Sequence, residues 1–405
     1  MKTFLLFPYA NHLGGTQPLV TIGEHLQARG HRVVFAARGK CVPYIRAAGF
    51  AVEDLIELDP ERSVEHLNKS SLNYHTKHSI DIFVQQELDL IDRYRPAAVV
   101  DLHRPTLGLA ARMSNTPRAV LCNTVLTRYY VGEKLLPESH PLADVARFLP
   151  NAYLKSFSAW AEHRLFRYWA RPYNAYLDQH RMPPLASMKE LFEGDATILM
   201  DAPEFAGTTE LPKHAHAVGP ILHERTECIP KWLEDIDPKR RTIMVYLGSY
   251  GEMFSRVVGY LSRMFAGSAE YQIVAATGGL YEYSGPPCPS EVTVCAYVPA
   301  SAVLAHRGAA MITHGGRGSI YSALYRGVPI AGIPNQGEQE WNLDTVDRLG
   351  LGSKLSKKRI DYATFSRALR EIIEQPAYGE RARQFGKRLH SYQGGLAAAS
   401  IIEAL

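Results

Sequence analysis

Ala309-Ala310-Met311-Ile312-Thr313-His314-Gly315-Gly316-Arg317-Gly318-Ser319 is a short apolar run, a glycine-rich turn and the opening of a helix that continues as Ile320–Tyr325. At such a junction backbone N–H groups converge and the helix dipole adds partial positive charge. Missing Cβ atoms then let a diphosphate come close. His314 and Arg317 supply further donors beside it. The same grammar extends outward on both sides. Upstream lie a strand at Thr242–Leu247, a turn at Gly248–Gly251, a helix at Met253–Phe265 and a strand at Tyr271–Ala276. A strand at Val292–Tyr297 and a helix at Ala300–His306 lead into the quoted stretch, and a strand at Val328–Ile333 follows it. Alternation of this kind implies parallel strands joined by crossover helices.

The N-terminal half repeats the pattern. Thr3–Tyr9 has strand character, Asn11–Thr16 reads as a glycine-bearing turn, and Leu19, Ile22 and Leu26 recur at helical spacing up to Gly30. Arg32–Ala37, Ala97–Leu102, Arg118–Cys122, Ala196–Met200 and Ala215–Val218 read as further strands, with a helix from Pro105 to Ser114. The polar, proline-bearing segment 223–241 has no periodicity and reads as a linker. The expectation is therefore two doubly wound Rossmann-like α/β domains facing a cleft: residues 1–222, a linker at 223–241, and residues 242–405. The last helix is able to pack back on the first domain.

Composition excludes several classes. Charge balance is 45 − 41 = +4 over 405 residues, too small an excess to indicate nucleic acid. No apolar run approaches the ~20 residues of a membrane span. Met1–Phe7 imitates a secretory signal, but its apolar stretch stops at Pro8 and reads as a buried strand. Five cysteines without a C-x-x-C pair favour a cytoplasmic, metal-free, disulfide-free enzyme.

The stretch Tyr297-Val298-Pro299, His314, Gly316, Ser319, Gly327-Val328-Pro329, Glu338-Gln339, Asn342 resembles the UDP-glycosyltransferase superfamily (glycosyltransferase family 1, GT-B fold). Gly14–Pro18, Gly30-His31, Val218-Gly219-Pro220 and Gly248-Ser249 extend the likeness over the chain. The resemblance implies an N-terminal acceptor domain, a C-terminal donor domain and a nucleotide-sugar co-substrate, with no metal and no other cofactor. It further implies that His314, Gly316, Arg317, Gly318 and Ser319 hold the diphosphate and that Ser249 closes the phosphate side. Tyr297 and the Val298 backbone would cradle the base, and Glu338 and Gln339 would bond the sugar hydroxyls.

The chain departs from the family at three positions. Ser322 stands where a glutamate usually grips the ribose, and Ala300 replaces a glutamine. Gly15 occupies the place of the catalytic histidine. His12, in the same turn, becomes the candidate base, with Asp101 at the end of a strand as its orienting carboxylate and His103 close by. A loop histidine bonding backbone and a strand-end cap are the structural alternatives for His12 and Asp101. The expected activity is inverting transfer from a UDP- or TDP-sugar to a small, apolar acceptor. A catalytically silent sugar-nucleotide-binding protein and a sugar-nucleotide epimerase are the rivals. A homodimer stays open, and no membrane span is expected. The aromatic, basic segment Tyr153–Arg181 reads as an amphipathic helix pair packing its own domain; a surface for a greasy or lipid-linked acceptor is the alternative.

Overall fold

Short Val-, Ile-, Leu- and Ala-rich runs become strands buried on both faces, as parallel sheets flanked by helices require. The computed structural model describes all residues except 60–64, 67–70, 139, 141, 147, 149, 209 and 223–230. Its first sheet contains β1 (Thr3–Phe7), β2 (Arg32–Ala36), β3 (Ala51–Glu53), β4 (Ala98–Leu102), β5 (Arg118–Cys122), β6 (Ala196–Leu199) and β7 (Ala215–Ala217). Their spatial order is β3-β2-β1-β4-β5-β6-β7. The second contains β8 (Arg241–Tyr246), β9 (Tyr271–Ala276), β10 (Val292–Cys295), β11 (Gly308–Thr313), β12 (Ile330–Gly332) and β13 (Gly352–Lys354), in the order β10-β9-β8-β11-β12-β13. Every described pairing is parallel. Each order reverses once, between β1 and β4 and between β8 and β11. Those switch points are where an open α/β sheet offers a crevice for ligand.

The described residues form two units, Met1–Leu136 with His140–His223 and Tyr392–Leu405, and Pro137–Ser139 with Glu224–Ser391. The chain end belongs to the first unit. In the helix Gly394–Glu403, Ala398, Ala399 and Ile402 join the core around Leu19, Ile22 and Leu26, and Glu403 pairs with Arg29 and His31. Of the expected linker, 223–230 lies outside the described residues, and the remainder packs on the second sheet. Leu233 and Ile236 are buried there, and Gln272 Nε2 donates to the Asp237 carbonyl at 2.8 Å.

A second difference concerns Asn11–Thr16. The helix already begins at Leu13 and runs to Ala28, so Gly14 and Gly15 sit in its first turn rather than in a loop. N–H groups of a first turn lack helical acceptors in any case, and Gly15 N–H is satisfied by the His12 carbonyl at 3.1 Å. The second unit's helix Gly251–Phe265 is amphipathic as its sequence promises, with Phe254, Val257, Val258 and Leu261 fully buried against the sheet. Truncating Leu261 to alanine there should cost about 2–5 kcal/mol. Cys41, Cys122, Cys288 and Cys295 are free thiols; Cys228 falls outside the described residues. Among the described residues no helix is long and apolar enough to cross a membrane.

Candidate active site

The second switch point gathers two glycine turns onto one imidazole. After β8 the chain passes through Gly248, at φ +58°, and Ser249 into the Gly251–Phe265 helix. After β11 it passes through His314 and Gly315, at φ +87°, into the Arg317–Tyr325 helix. Because β8 and β11 are neighbours, the turns meet. A Cβ built on Gly248 would lie 3.3 Å from His314 Nε2 and Cε1, and one built on Gly316 would lie 2.5 Å from Nε2. The ring thus lies between two backbones that only glycine lets so close. His314 Nδ1 reaches the Tyr246 carbonyl at 3.4 Å, and the Tyr246 ring meets the imidazole edge-on at 5.6 Å.

Gly316 is the N-cap of the Arg317–Tyr325 helix, and no side chain caps this end. The first-turn N–H groups, which lack helical acceptors in any such helix, receive no cap from the Gly316 residue itself. A Cβ on Gly318 would meet nothing within 4 Å, so the space beside that donor is open. The Ser319 side chain is engaged within the turn. Its hydroxyl donates to the Gly316 carbonyl at 2.8 Å and lies 2.6 Å from Thr313 Oγ1, which accepts from Gly315 N–H at 3.3 Å. The hydroxyl protons run Thr313 to Ser319 to Gly316, so Ser319 builds the turn, and only its main-chain N–H remains to serve a ligand.

Helix Gly337–Arg348 is braced to this turn. Asn342 Nδ2 donates to the Gly315 carbonyl at 3.1 Å and to Glu338 Oε1 at 3.2 Å. A Cβ on Gly315 would fall 2.7 Å from Leu343 and 2.8 Å from the Gln339 carbonyl. Gln339 Oε1 accepts from Asn335 N–H at 2.9 Å and Gln336 N–H at 3.2 Å, closing a capping box. That oxygen is thus committed to the helix start, and the amide NH₂ is the part of Gln339 left to bond a ligand. Tyr297, 42% exposed, follows β10 at the same sheet edge, and Val298 beside it is buried. Three strand spacings of ~4.8 Å separate β10 from β11 in the sheet order, about 14 Å, comparable to the span of a nucleoside diphosphate.

At the first switch point the expected pairing of His12 with Asp101 does not form. Asp101 is fully buried and held by Arg118, with Nε on Oδ1 at 2.7 Å and Nη2 on Oδ2 at 3.0 Å. The Arg104 N–H adds a bond to Oδ2 at 3.2 Å. Both carboxylate oxygens are therefore taken. Arg104 in turn bonds Glu87 at 2.5 Å and Glu57 at 2.6 Å. Glu87 also accepts from Thr106 at 2.7 Å, and burial pushes its carboxyl up to about 7. This buried charge network underlies the sheet edge, and His103 adopts φ +63° as the chain crosses it.

His12 itself is accessible. It is the N-cap of the Leu13–Ala28 helix, its ring meets Tyr9 edge-on at 4.7 Å, and surrounding protein lowers its pKa by disfavouring the cation. A Cβ on Gly15 would lie 2.5 Å from the Tyr9 carbonyl oxygen, so this backbone cannot carry a histidine there without moving. No cluster of three or more His, Cys, Asp or Glu side chains able to hold a metal occurs among the described residues.

Residues 276–393, a span starting in β9 and taking in the whole His314–Asn342 arrangement, match the profile of the family described as UDP-glucoronosyl and UDP-glucosyl transferase. Over nearly its whole length the chain is 24% identical to a PGL/p-HBAD biosynthesis rhamnosyltransferase of Mycobacterium bovis (strain BCG / Pasteur 1173P2), covering 93% of this chain and 88% of that one. Profile and relative together support assignment to the UDP-glycosyltransferase superfamily. Solved structures agree on the GT-B fold of this glycosyltransferase. The glycotransferase of kitacinnamycin superimposes with a TM-score of 0.72 at 18% identity, over 100% of this chain and 98% of that one. Spinosyn rhamnosyltransferase SpnG complexed with thymidine diphosphate gives 0.71 at 15% identity, over 100% of both chains.

The superfamily motif now has a physical account in this chain. Asn342, which the motif included without a role, and Thr313, which it did not include, join its parts: one ties the Gly337–Arg348 helix to the glycine turn, the other shapes that turn. The Asn at a fixed distance beyond Glu338-Gln339 was the available signal for the first. Nothing in the sequence signalled the second.

Proposed function

We propose that this glycosyltransferase inverts configuration, moving a sugar from a UDP- or TDP-sugar to a hydroxyl of a small, apolar acceptor bound by the N-terminal unit. The single observation that carries the donor half is His314 held between Gly248 and Gly316, beside an uncapped helix start. In the reaction the acceptor oxygen forms a bond to the anomeric carbon as the bond to the diphosphate oxygen breaks, through an oxocarbenium-like state. The bonding pair leaves with the diphosphate. The first-turn N–H groups of the Arg317–Tyr325 helix and the His314 imidazole meet that charge, fixed in place before the reaction begins. No metal ion is required in this reading. The Glu338 carboxylate and the Gln339 NH₂ group bond sugar hydroxyls, and Tyr297 offers its ring to the base.

His12 takes the acceptor's proton. It is accessible, and its imidazole is neutral at pH 7 because its surroundings disfavour the charged form. Asp101 has no part in this step. Titration calorimetry with UDP and TDP tests the donor half. Binding of either by the wild type, weakened at least tenfold in Gly318→Val with the melting temperature preserved, supports the seat at the helix start. Equal binding by both proteins contradicts it.

A further inference from the structure

The helix pair expected from Tyr153–Arg181 is present as Asn151–Trp169 and Arg171–Gln179. Its aromatic residues divide into two sets. Phe166, Trp169, Tyr173 and Tyr176 are buried in the first unit. Tyr153, Phe157, Trp160, Arg164 and Arg167 recur at i, i+4, i+7, i+11 and i+14, which places them on one stripe of the 3.6-residue helix. That stripe faces solvent. Tyr153 is 69% and Trp160 57% exposed, Arg164 and Arg167 are exposed, and only Phe157 is half-covered. Ser158, Ala161, Phe166 and Trp169 line the opposite, buried side. Phe157 stacks on Trp160 with centroids 5.8 Å apart, and the Arg164 guanidinium lies 5.9 Å from the Trp160 centroid. No acidic residue interrupts the stripe.

Exposed aromatic area of this kind is unfavourable unless something covers it. Its composition selects the cover. A helix with one face on its own domain and the other carrying Trp, Tyr and Phe with arginines suits the headgroup boundary of a bilayer. There the rings sit among acyl ends and the guanidinium groups meet phosphates. A second copy fits poorly, because the stripe carries no acidic residue with which the partner's Arg164 and Arg167 could pair. We propose that the solvent face of the Asn151–Trp169 helix docks this protein on an anionic phospholipid surface. The acceptor-binding unit is then the part held at the lipid. This does not depend on the donor assignment above.

Trp160 is exposed while Trp232 and Trp341 are half-buried and Trp169 is buried, so a docking shift that Trp160→Phe abolishes is assigned to it. The full-length protein is titrated with vesicles of phosphatidylcholine alone and with about 30% phosphatidylglycerol, following tryptophan emission and co-sedimentation. The expected result is a blue shift and pelleting with the anionic vesicles only, lost as salt rises to about 0.5 M. Each arginine near such a surface contributes roughly a fivefold gain in partitioning. Arg164→Glu/Arg167→Glu should therefore lower the partition coefficient by more than about 25-fold. Trp160→Phe should keep the pelleting and lose the blue shift, which also checks that the fold is intact. Equal partitioning of the charge-reversed and wild-type proteins overturns the proposal, as does absence of pelleting at low salt. So does a concentration-dependent dimer dissolved by Arg164→Glu/Arg167→Glu, which would give the face to a second copy.

Discussion

Replacing Gly316 with alanine tests the contribution of His314 by displacing the imidazole rather than removing it. The added methyl carbon would stand 2.5 Å from Nε2, whereas ordinary contact between such atoms is about 3.5 Å. The ring must therefore retreat by roughly 1 Å. At φ −65° and ψ 138° residue 316 is comfortable as alanine, so the backbone has no reason to move instead. Retreat stretches the bond from Nδ1 to the Tyr246 carbonyl, already 3.4 Å long, beyond hydrogen-bond range. The donor then loses one bond from the imidazole to its charged diphosphate, worth about 1.5–3 kcal/mol. Affinity for UDP or TDP should fall about 10- to 100-fold by calorimetry. The exchange at an N-cap costs only ~1 kcal/mol of stability, a few degrees of melting temperature for a domain of this size. A double-mutant cycle sharpens the test. Once His314→Ala has emptied the space, adding Gly316→Ala should cost almost nothing further. Binding by Gly316→Ala within twofold of wild type would refute the reasoning, and so would full additivity of the two substitutions.

Other expectations follow from the remaining geometry. His12→Ala should depress turnover about 10²-fold or more while leaving nucleotide affinity intact, measured by steady-state kinetics and calorimetry. Since its surroundings lower the His12 pKa, the wild-type rate should hold at pH 7 and fall only as pH drops below the ordinary value of about 6.5. That acid limb should vanish in the variant. Asp101→Asn leaves Arg118 buried with half its partner, and should lower stability by about 3–5 kcal/mol in denaturant melts. A turnover defect with unchanged stability would restore a catalytic role. Gln339→Ala removes the acceptor of two helix-start N–H groups, costing about 1–2 kcal/mol, and should weaken the complete donor more than free nucleoside diphosphate. Glu87 has a carboxyl pushed up in the folded state. The native protein then binds more protons than the unfolded chain between about pH 4.5 and 7, so stability should decline across that window as pH rises. Glu87→Gln should flatten that slope in melting curves.

Much of this was legible in the chain, where local pattern and local chemistry agree. The helix Pro105–Ser114 and the strands Arg118–Cys122 and Tyr271–Ala276 stand where their residues put them. The motif from His314 to Asn342 is compact in sequence because neighbouring elements build it. What the sequence concealed depends on distant partners. Asp101 at a strand end has the position of an orienting carboxylate, yet Arg118 on the adjacent strand claims it, and nothing short of the β4–β5 register shows that. Gln339 looks like a sugar ligand by register, but Asn335 and Gln336 need its oxygen once the helix starts at Gly337. The Asn11–Thr16 stretch resembles a loop because two glycines lower its helix propensity, and packing of Gly15 against Tyr9 overrides that. The return of the C-terminal helix to the first unit was open to the sequence, and Ala398, Ala399 and Ile402 in that core are what secure it.

The central claim is that this chain displaces a nucleoside diphosphate from a sugar with inversion. It can be tested without knowing the acceptor, because water can take the acceptor's place slowly. Proton NMR of the sugar first released from an α-linked UDP- or TDP-sugar, recorded before mutarotation, reads the outcome directly. The account predicts the β anomer first, at a rate that falls sharply in His314→Ala. An α anomer formed first would contradict inversion. Binding of the donors with no release above the uncatalysed rate would make the chain a silent binder instead.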